Sequence, residues 1–108
     1  MPGSFVPLSL LNLTPAAKAD LQSVWRYTVT QWGEPQAEHY TGAIRQACHN
    51  LLAKPLIGKA LPQVHEELRA FRCQHHIIFY LVDETGITFI AFLHERTDML
   101  QHLTGRLV

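Results

Sequence analysis

The chain has 108 residues, seven of them His, with a hydrophobic share of 47% and a formal net charge of zero. That length is one domain, 1–108. The apolar share argues against disorder, and the balanced charge argues against a protein that holds nucleic acid by bulk electrostatics.

The first apolar stretch is Ser4–Leu13. Pro7 lacks a ladder donor, so this is an edge strand or a strand that begins after it, at Leu8–Leu13. Thr14-Pro15 reads as a helix start, with Thr as N-cap and Pro in the first turn. Ala17, Leu21, Val24, Trp25, Thr28 and Trp32 recur at helical spacing and predict a helix over Thr14–Trp32. Gly33 ends it, a residue able to take the left-handed conformation. Pro35 restarts a helix at once, and Ala37, Tyr40, Ile44, Ala47, Cys48, Leu51 and Leu52 form a second stripe over Pro35–Ala53. So short a connection makes an antiparallel helical hairpin. Both Trp residues are expected in the core; an exposed one would be an anchor for a partner.

Pro55–Val64 contains two Pro and a Gly and reads as a loop pressed onto the surface. Three strands follow: Leu68–Cys73, then Ile77–Val82, then Ile87–Leu93. The middle run is apolar on both faces, which makes it central; Arg69 and Arg72 put the first nearer an edge. Asp83-Glu84-Thr85-Gly86 suits a four-residue hairpin loop. Asp98 is placed to cap a last turn or two over Met99–Leu103. The result is an α+β domain of two layers, β-α-α-β-β-β with a short C-terminal helix or tail, the hairpin covering one face of an antiparallel sheet.

Cys48 and Cys73 make no disulfide framework. Met1–Leu13 lacks the basic start and cleavage site of a signal peptide, and no apolar run is long enough to span a bilayer. A cytoplasmic setting is expected.

Three patterns carry a resemblance to a known family. The first is Leu13-Thr14-Pro15-Ala16-Ala17-x-Ala19-Asp20-Leu21, followed by Trp25-x-Tyr27 and Trp32-Gly33. The second is Leu68-Arg69-x-Phe71 leading into His76-Ile77-Ile78-Phe79-Tyr80-x-Val82-Asp83. The third is Leu93-His94-x-Arg96-x-Asp98. In order and spacing, from about Leu8 to Leu103, the chain resembles the ParE branch of the RelE/ParE toxin superfamily of bacterial type II toxin–antitoxin modules. The resemblance implies a RelE-like fold, a cognate antitoxin that wraps the toxin, and inhibition of DNA gyrase. For the RelE branch it implies ribosome-dependent mRNA cleavage instead. No cofactor, membrane contact or sequence-specific nucleic-acid binding is expected.

The residues favour the first branch. Cleaving RNA needs a group that activates the 2′-hydroxyl and cations that stabilise the phosphorane-like transition state. RelE-type toxins supply these from basic residues before the sheet and on its central strands, with a C-terminal Tyr in some. Here the loop offers Lys54 and Lys59, Ile77 stands about where an RNA cutter would place Arg, and no Tyr follows Arg96. No catalytic residue is therefore assigned.

The candidate contact residues for target or antitoxin are His94, Arg96, Arg69, Arg72 and His76. His94 and Arg96 share a face if the strand's period of two continues. They are either a contact surface or a structural pair closing the sheet end, with Asp98 or Glu95 on Arg96. Arg69 and Arg72 lie on opposite faces, as solvated edge charges or as partners for antitoxin carboxylates. His76 is expected to titrate near neutral pH. Cys73, His75 and His76 lack further ligands at fixed spacing, so no metal is expected.

Overall fold

Thr14 opens the first helix, α1 (Pro15–Trp32), in the way its side chain allows: its hydroxyl oxygen accepts the Ala17 N–H at 3.1 Å. Gly33 is the whole connection to α2 (Glu34–Ala53). Its N–H donates to the Val29 carbonyl at 2.9 Å and its carbonyl accepts from Ala37 at 3.1 Å. Its φ of 90° is positive as expected, but ψ of 168° lies outside the left-handed helical well. One residue must both leave one helix and enter the next, and only glycine takes that conformation readily. The computed structural model describes residues 11–107.

The two helical stripes bury Ala17, Leu21, Val24 and Thr28 on α1, and Ala37, Thr41, Ile44, Ala47, Cys48 and Leu51 on α2. Thr41 carried no sequence signal for burial. It is accommodated because its hydroxyl donates to the Ala37 carbonyl one turn back, at 2.7 Å. Trp25 and Tyr40 are half-buried, and Trp32, expected in the core, is 71% exposed. Burial lifts the Cys48 thiol to about 12, so it is an inert core group.

The sheet has four strands, β1 (Lys59–Ala60), β2 (Leu68–Cys73), β3 (His76–Asp83) and β4 (Gly86–His94), in that order and all antiparallel. β3 is central, as its two apolar faces require. The stretch expected to be only a loop contains β1. Buried Tyr80 is the cause: its hydroxyl accepts the Gly58 N–H at 3.0 Å and donates to the Pro55 carbonyl at 2.7 Å. Arg69 adds hydrogen bonds to the carbonyls of Leu56 (3.1 Å) and Gly58 (2.6 Å), so the segment is tied to the sheet and pairs with it.

The β3–β4 turn is tighter than the expected four residues. Asp83 pairs with Gly86, leaving Glu84-Thr85 as the loop. The Asp83 carboxylate accepts from the N–H and hydroxyl of Thr85, at 2.8 and 2.6 Å. Of the N-terminal strand, the described part is a parallel bridge from Leu13 to Phe89. Phe89 donates to the Asn12 carbonyl at 2.9 Å and accepts from Thr14 at 3.1 Å. The rest of that expected strand, residues 4–10, lies outside the described residues.

A register shift sets Tyr80 opposite Phe89 and Phe79 opposite Ala91, with Ile90 extra between them. The bulge sends Phe89 and Phe92 to the helical hairpin, where they pack with Leu21, Ile44, Leu51, Ile78 and Tyr80. Ile90, Ala91 and Leu93 turn to the opposite face and meet Leu68, Phe79 and Leu103. Leu103 belongs to α3 (Met99–Arg106), which Asp98 caps through the Gln101 N–H at 3.4 Å. α3 is longer than the expected Met99–Leu103 and covers part of the sheet face opposite the hairpin. The two-layer α+β domain stands, with this corner backed on both sides. Among the described residues no helix is long and apolar enough to cross a membrane.

Candidate functional site

β3 begins and β4 ends side by side, so their register makes His76 and His94 cross-strand neighbours. Even-numbered residues of β3 face the hairpin, which turns His76 toward α2. There Tyr40 meets it: hydroxyl to His76 Nδ1 is 2.7 Å. The same hydroxyl accepts the His75 N–H at 3.1 Å. With the His75 N–H as its donor, that hydroxyl has His76 Nδ1 as its acceptor among the described residues, which assigns the proton of neutral His76 to Nε2. His94 reaches the same state by another route, because its Nδ1 accepts the Arg96 N–H at 3.1 Å. The His76 and His94 rings meet edge to face at 5.3 Å, and His75 stacks on His94 at 6.4 Å.

Beside this cluster the half-buried Glu95 gathers His75, at 2.9 Å, and Arg72 on its carboxylate. Those two hydrogen bonds, His75 first, hold Glu95 below the usual carboxylate range. Of the two readings of His94 and Arg96, the one that closes an ion pair on Arg96 is therefore not met among the described residues. Glu95 is drawn back to the β2–β3 turn, where its N–H donates to the His75 carbonyl at 2.8 Å, and Asp98 is occupied as a helix cap. β4 stops at His94, so the period of two does not carry on to Arg96, which sits exposed in the turn. Arg72 and Arg69 lie on opposite faces as expected, but neither is a free edge charge. Arg72 binds Glu95, and Arg69 is spent on loop carbonyls away from the cluster. The structure thus joins His76, His94 and Arg72 into one region and leaves Arg69 and Arg96 outside it.

A groove of about 940 Å³ opens next to the imidazoles. α1 gives one wall, with Asp20, Ser23, Tyr27 and Trp32; Tyr40 of α2 and Phe92–His94 of β4 continue it, and His102 of α3 stands at its border. Tyr27 is 66% exposed there. Sequence reading placed Tyr40 and Trp32 in the core and left Tyr27 and Asp20 without a role. Helical spacing fixes which side of a helix a residue is on, and not where the sheet beneath it stops. Among the described residues no group of three His, Cys, Asp or Glu is arranged to hold a metal.

Burial, with His94 and His75 alongside, pushes the His76 imidazole down to about 4, against the expectation that it titrates near neutrality. The groups around it are Tyr40 from α2, Asp20 from α1, Cys73 opposite on β2, and His75, His94 and Glu95. The folded chain therefore prefers neutral His76, while the unfolded chain takes up a proton near 6.5. The stability this preference provides is complete above pH 6.5 and is lost as the pH falls through 4. His76 is partly open to solvent, so the loss should be about 1–2 kcal/mol, less than the full shift would convert to. Urea unfolding at pH 7.5 and pH 4 should show His76→Phe losing less stability between the two than the parent chain. Equal losses would remove His76 from the acid response.

The model of the family described as "ParE toxin of type II toxin-antitoxin system, parDE" matches residues 11–99. Toxin ParE of Escherichia coli is 36% identical over 97 residues, covering 88% of this chain and 93% of that protein. Toxin ParE1 of Mycobacterium tuberculosis is 35% identical over 92 residues, covering 84% and 94%. A solved structure described as the chromosomal ParDE TA system from P. aeruginosa superposes with a TM-score of 0.67 at 18% identity. It covers 78% of this chain and 92% of that one, and confirms the α+β fold. A helical hairpin on an antiparallel meander is thus the fold of a type II toxin. The chain belongs to the ParE toxin family.

Proposed function

We propose that this toxin acts by binding DNA gyrase, without chemistry of its own, and that a cognate antitoxin neutralises it by covering its binding surface. Beyond family membership, the observation that carries this reading is the groove beside the His cluster. It is open, and its wall exposes Tyr27 and Trp32, the residue types that dominate protein–protein hot spots. Two of the basic candidate residues are engaged in holding the fold, Arg72 on Glu95 and Arg69 on the β1 loop. Ile77 occupies the strand position where an RNA cutter would carry Arg.

Purified chain added to gyrase should inhibit supercoiling and accumulate cleaved DNA, and the co-purified antitoxin should relieve both. Unchanged supercoiling at a large excess of the chain would refute the target.

One observation favours a second reading, a ribosome-dependent mRNA endoribonuclease. Tyr40 from α2 supplies the tyrosine that the tail lacks, and the His75–Glu95 pair supplies an acid–base couple. Primer extension on ribosome-bound mRNA in cells making the chain decides between them. Codon-phased cuts that vanish in Tyr40→Phe, with supercoiling untouched, would establish the nuclease.

A further inference from the structure

Phe89 is the last β4 residue held by the N-terminal segment, because Thr14-Pro15 turns the chain away into α1. Beyond it the edge of β4 is filled piecemeal. Arg106 donates to the Ile90 carbonyl at 3.0 Å, Asp20 accepts the Phe92 N–H at 2.9 Å, and Thr97 donates to the His94 carbonyl at 2.9 Å. His75 and Glu95 form a hydrogen-bonded pair through the Glu95 N–H. Alternation along an antiparallel ladder then directs the main chains of Phe92 and His94 away from β3. The Phe92 carbonyl and the His94 N–H are left without a partner among the described residues. They flank Leu93 as the two groups that one residue of a parallel strand would bond, its N–H to the first and its carbonyl to the second. The same pattern already joins Phe89 to Asn12 and Thr14.

We propose that an acidic extended segment of the antitoxin adds to β4 in this groove, with one carboxylate held by Nε2–H of His76 and of His94. This rests on the toxin reading above and names the partner chemistry of the same site. Both imidazoles line the groove, and both carry their proton on Nε2 because Nδ1 is already an acceptor. The one carboxylate among the lining residues, Asp20, is neutralised by Arg106 at 2.5 and 3.0 Å, so nothing there repels an incoming acid. Side chains two residues from that acid lie on the same face and meet the apolar wall of Val24, Tyr27 and Phe92. A sheet edge next to paired donors selects an extended peptide.

The probe is an acetylated, amidated heptapeptide of alternating threonine and valine with a central glutamate, valine sharing the glutamate face. Binding is followed by calorimetry and by the fluorescence of Trp32 in a Trp25→Phe background. The peptide should bind in the groove. Glutamine for glutamate, and His94→Phe, should each weaken it about tenfold, the value of a hydrogen bond to a charged group. N-methylation of the residue opposite Leu93 should abolish the ladder and weaken binding at least as much. His76→Phe serves as a second variant should His94→Phe fold poorly. Equal affinity of the glutamate and glutamine peptides, indifference to N-methylation, or no binding would each overturn the proposal. Binding that follows this pattern while gyrase and antitoxin assays fail would retain the site and remove the toxin reading. Loss of peptide binding with intact neutralisation would do the reverse.

Discussion

Asp20→Ala is expected to destabilise the chain by about 3–5 kcal/mol, the range for removing one partner of a buried ion pair. Asp20 and Arg106 have side chains only 15% and 19% exposed and are bound by two contacts. The carboxylate also accepts the Phe92 N–H, so its removal leaves a cation uncompensated and a strand donor unsatisfied. α3 should loosen with it, since Arg106 links that helix to both α1 and the Ile90 carbonyl. Urea denaturation checks the loss. The Asp20→Ala/Arg106→Ala double variant should be no less stable than Asp20→Ala alone, because the stranded charge is gone. A single-variant loss below about 1 kcal/mol would show that the pair contributes little beyond what solvent supplies.

Gly58→Ala should cost about 2–4 kcal/mol, from overpacking together with a lost hydrogen bond. A Cβ there would stand 2.3 Å from the Tyr80 hydroxyl oxygen and 3.0 Å from the Ala70 carbonyl oxygen. Tyr80 has no room to retreat, because it is fully buried against Phe89, with ring centroids 6.0 Å apart. The chain must give up β1, or Tyr80 must give up its bonds to Gly58 and Pro55. In a Tyr80→Phe background the hydroxyl is absent, so Gly58→Ala should cost at least 1 kcal/mol less, a coupling of the size seen between touching residues. Equal costs in the two backgrounds would place the conflict at the atoms both share, the ring carbon Cζ at 2.9 Å and the Ala70 carbonyl at 3.0 Å.

Residues within a few positions of one another specified the elements. Thr14-Pro15, the single Gly33 and the i, i+3, i+4 stripes place the helical hairpin. The runs rich in Ile, Phe, Tyr and Val, and the apolar content of Ile77–Val82 on both faces, place the meander with that strand central. These signals are local, because capping, helical burial and strand pleating act over one or two turns of chain. The family was legible for the same reason, since its patterns are short and fall in a fixed order.

Which polar groups meet was decided by the tertiary structure alone. Tyr40 and His76 are 36 residues apart, and Asp20 and Arg106 are 86 apart. No periodicity relates them, so Tyr40 looked like another stripe residue and Asp20 like a solvated charge. Of the candidate contact residues, His76 and His94 come together through strand register and Arg72 joins them through Glu95. Arg69 turns inward because Tyr80 has already pinned the loop it reaches, and Arg96 falls beyond the strand end. Trp32 is exposed for a related reason: a helical stripe marks a direction around the helix axis, and only the packed partner beneath it determines how far along that axis burial extends.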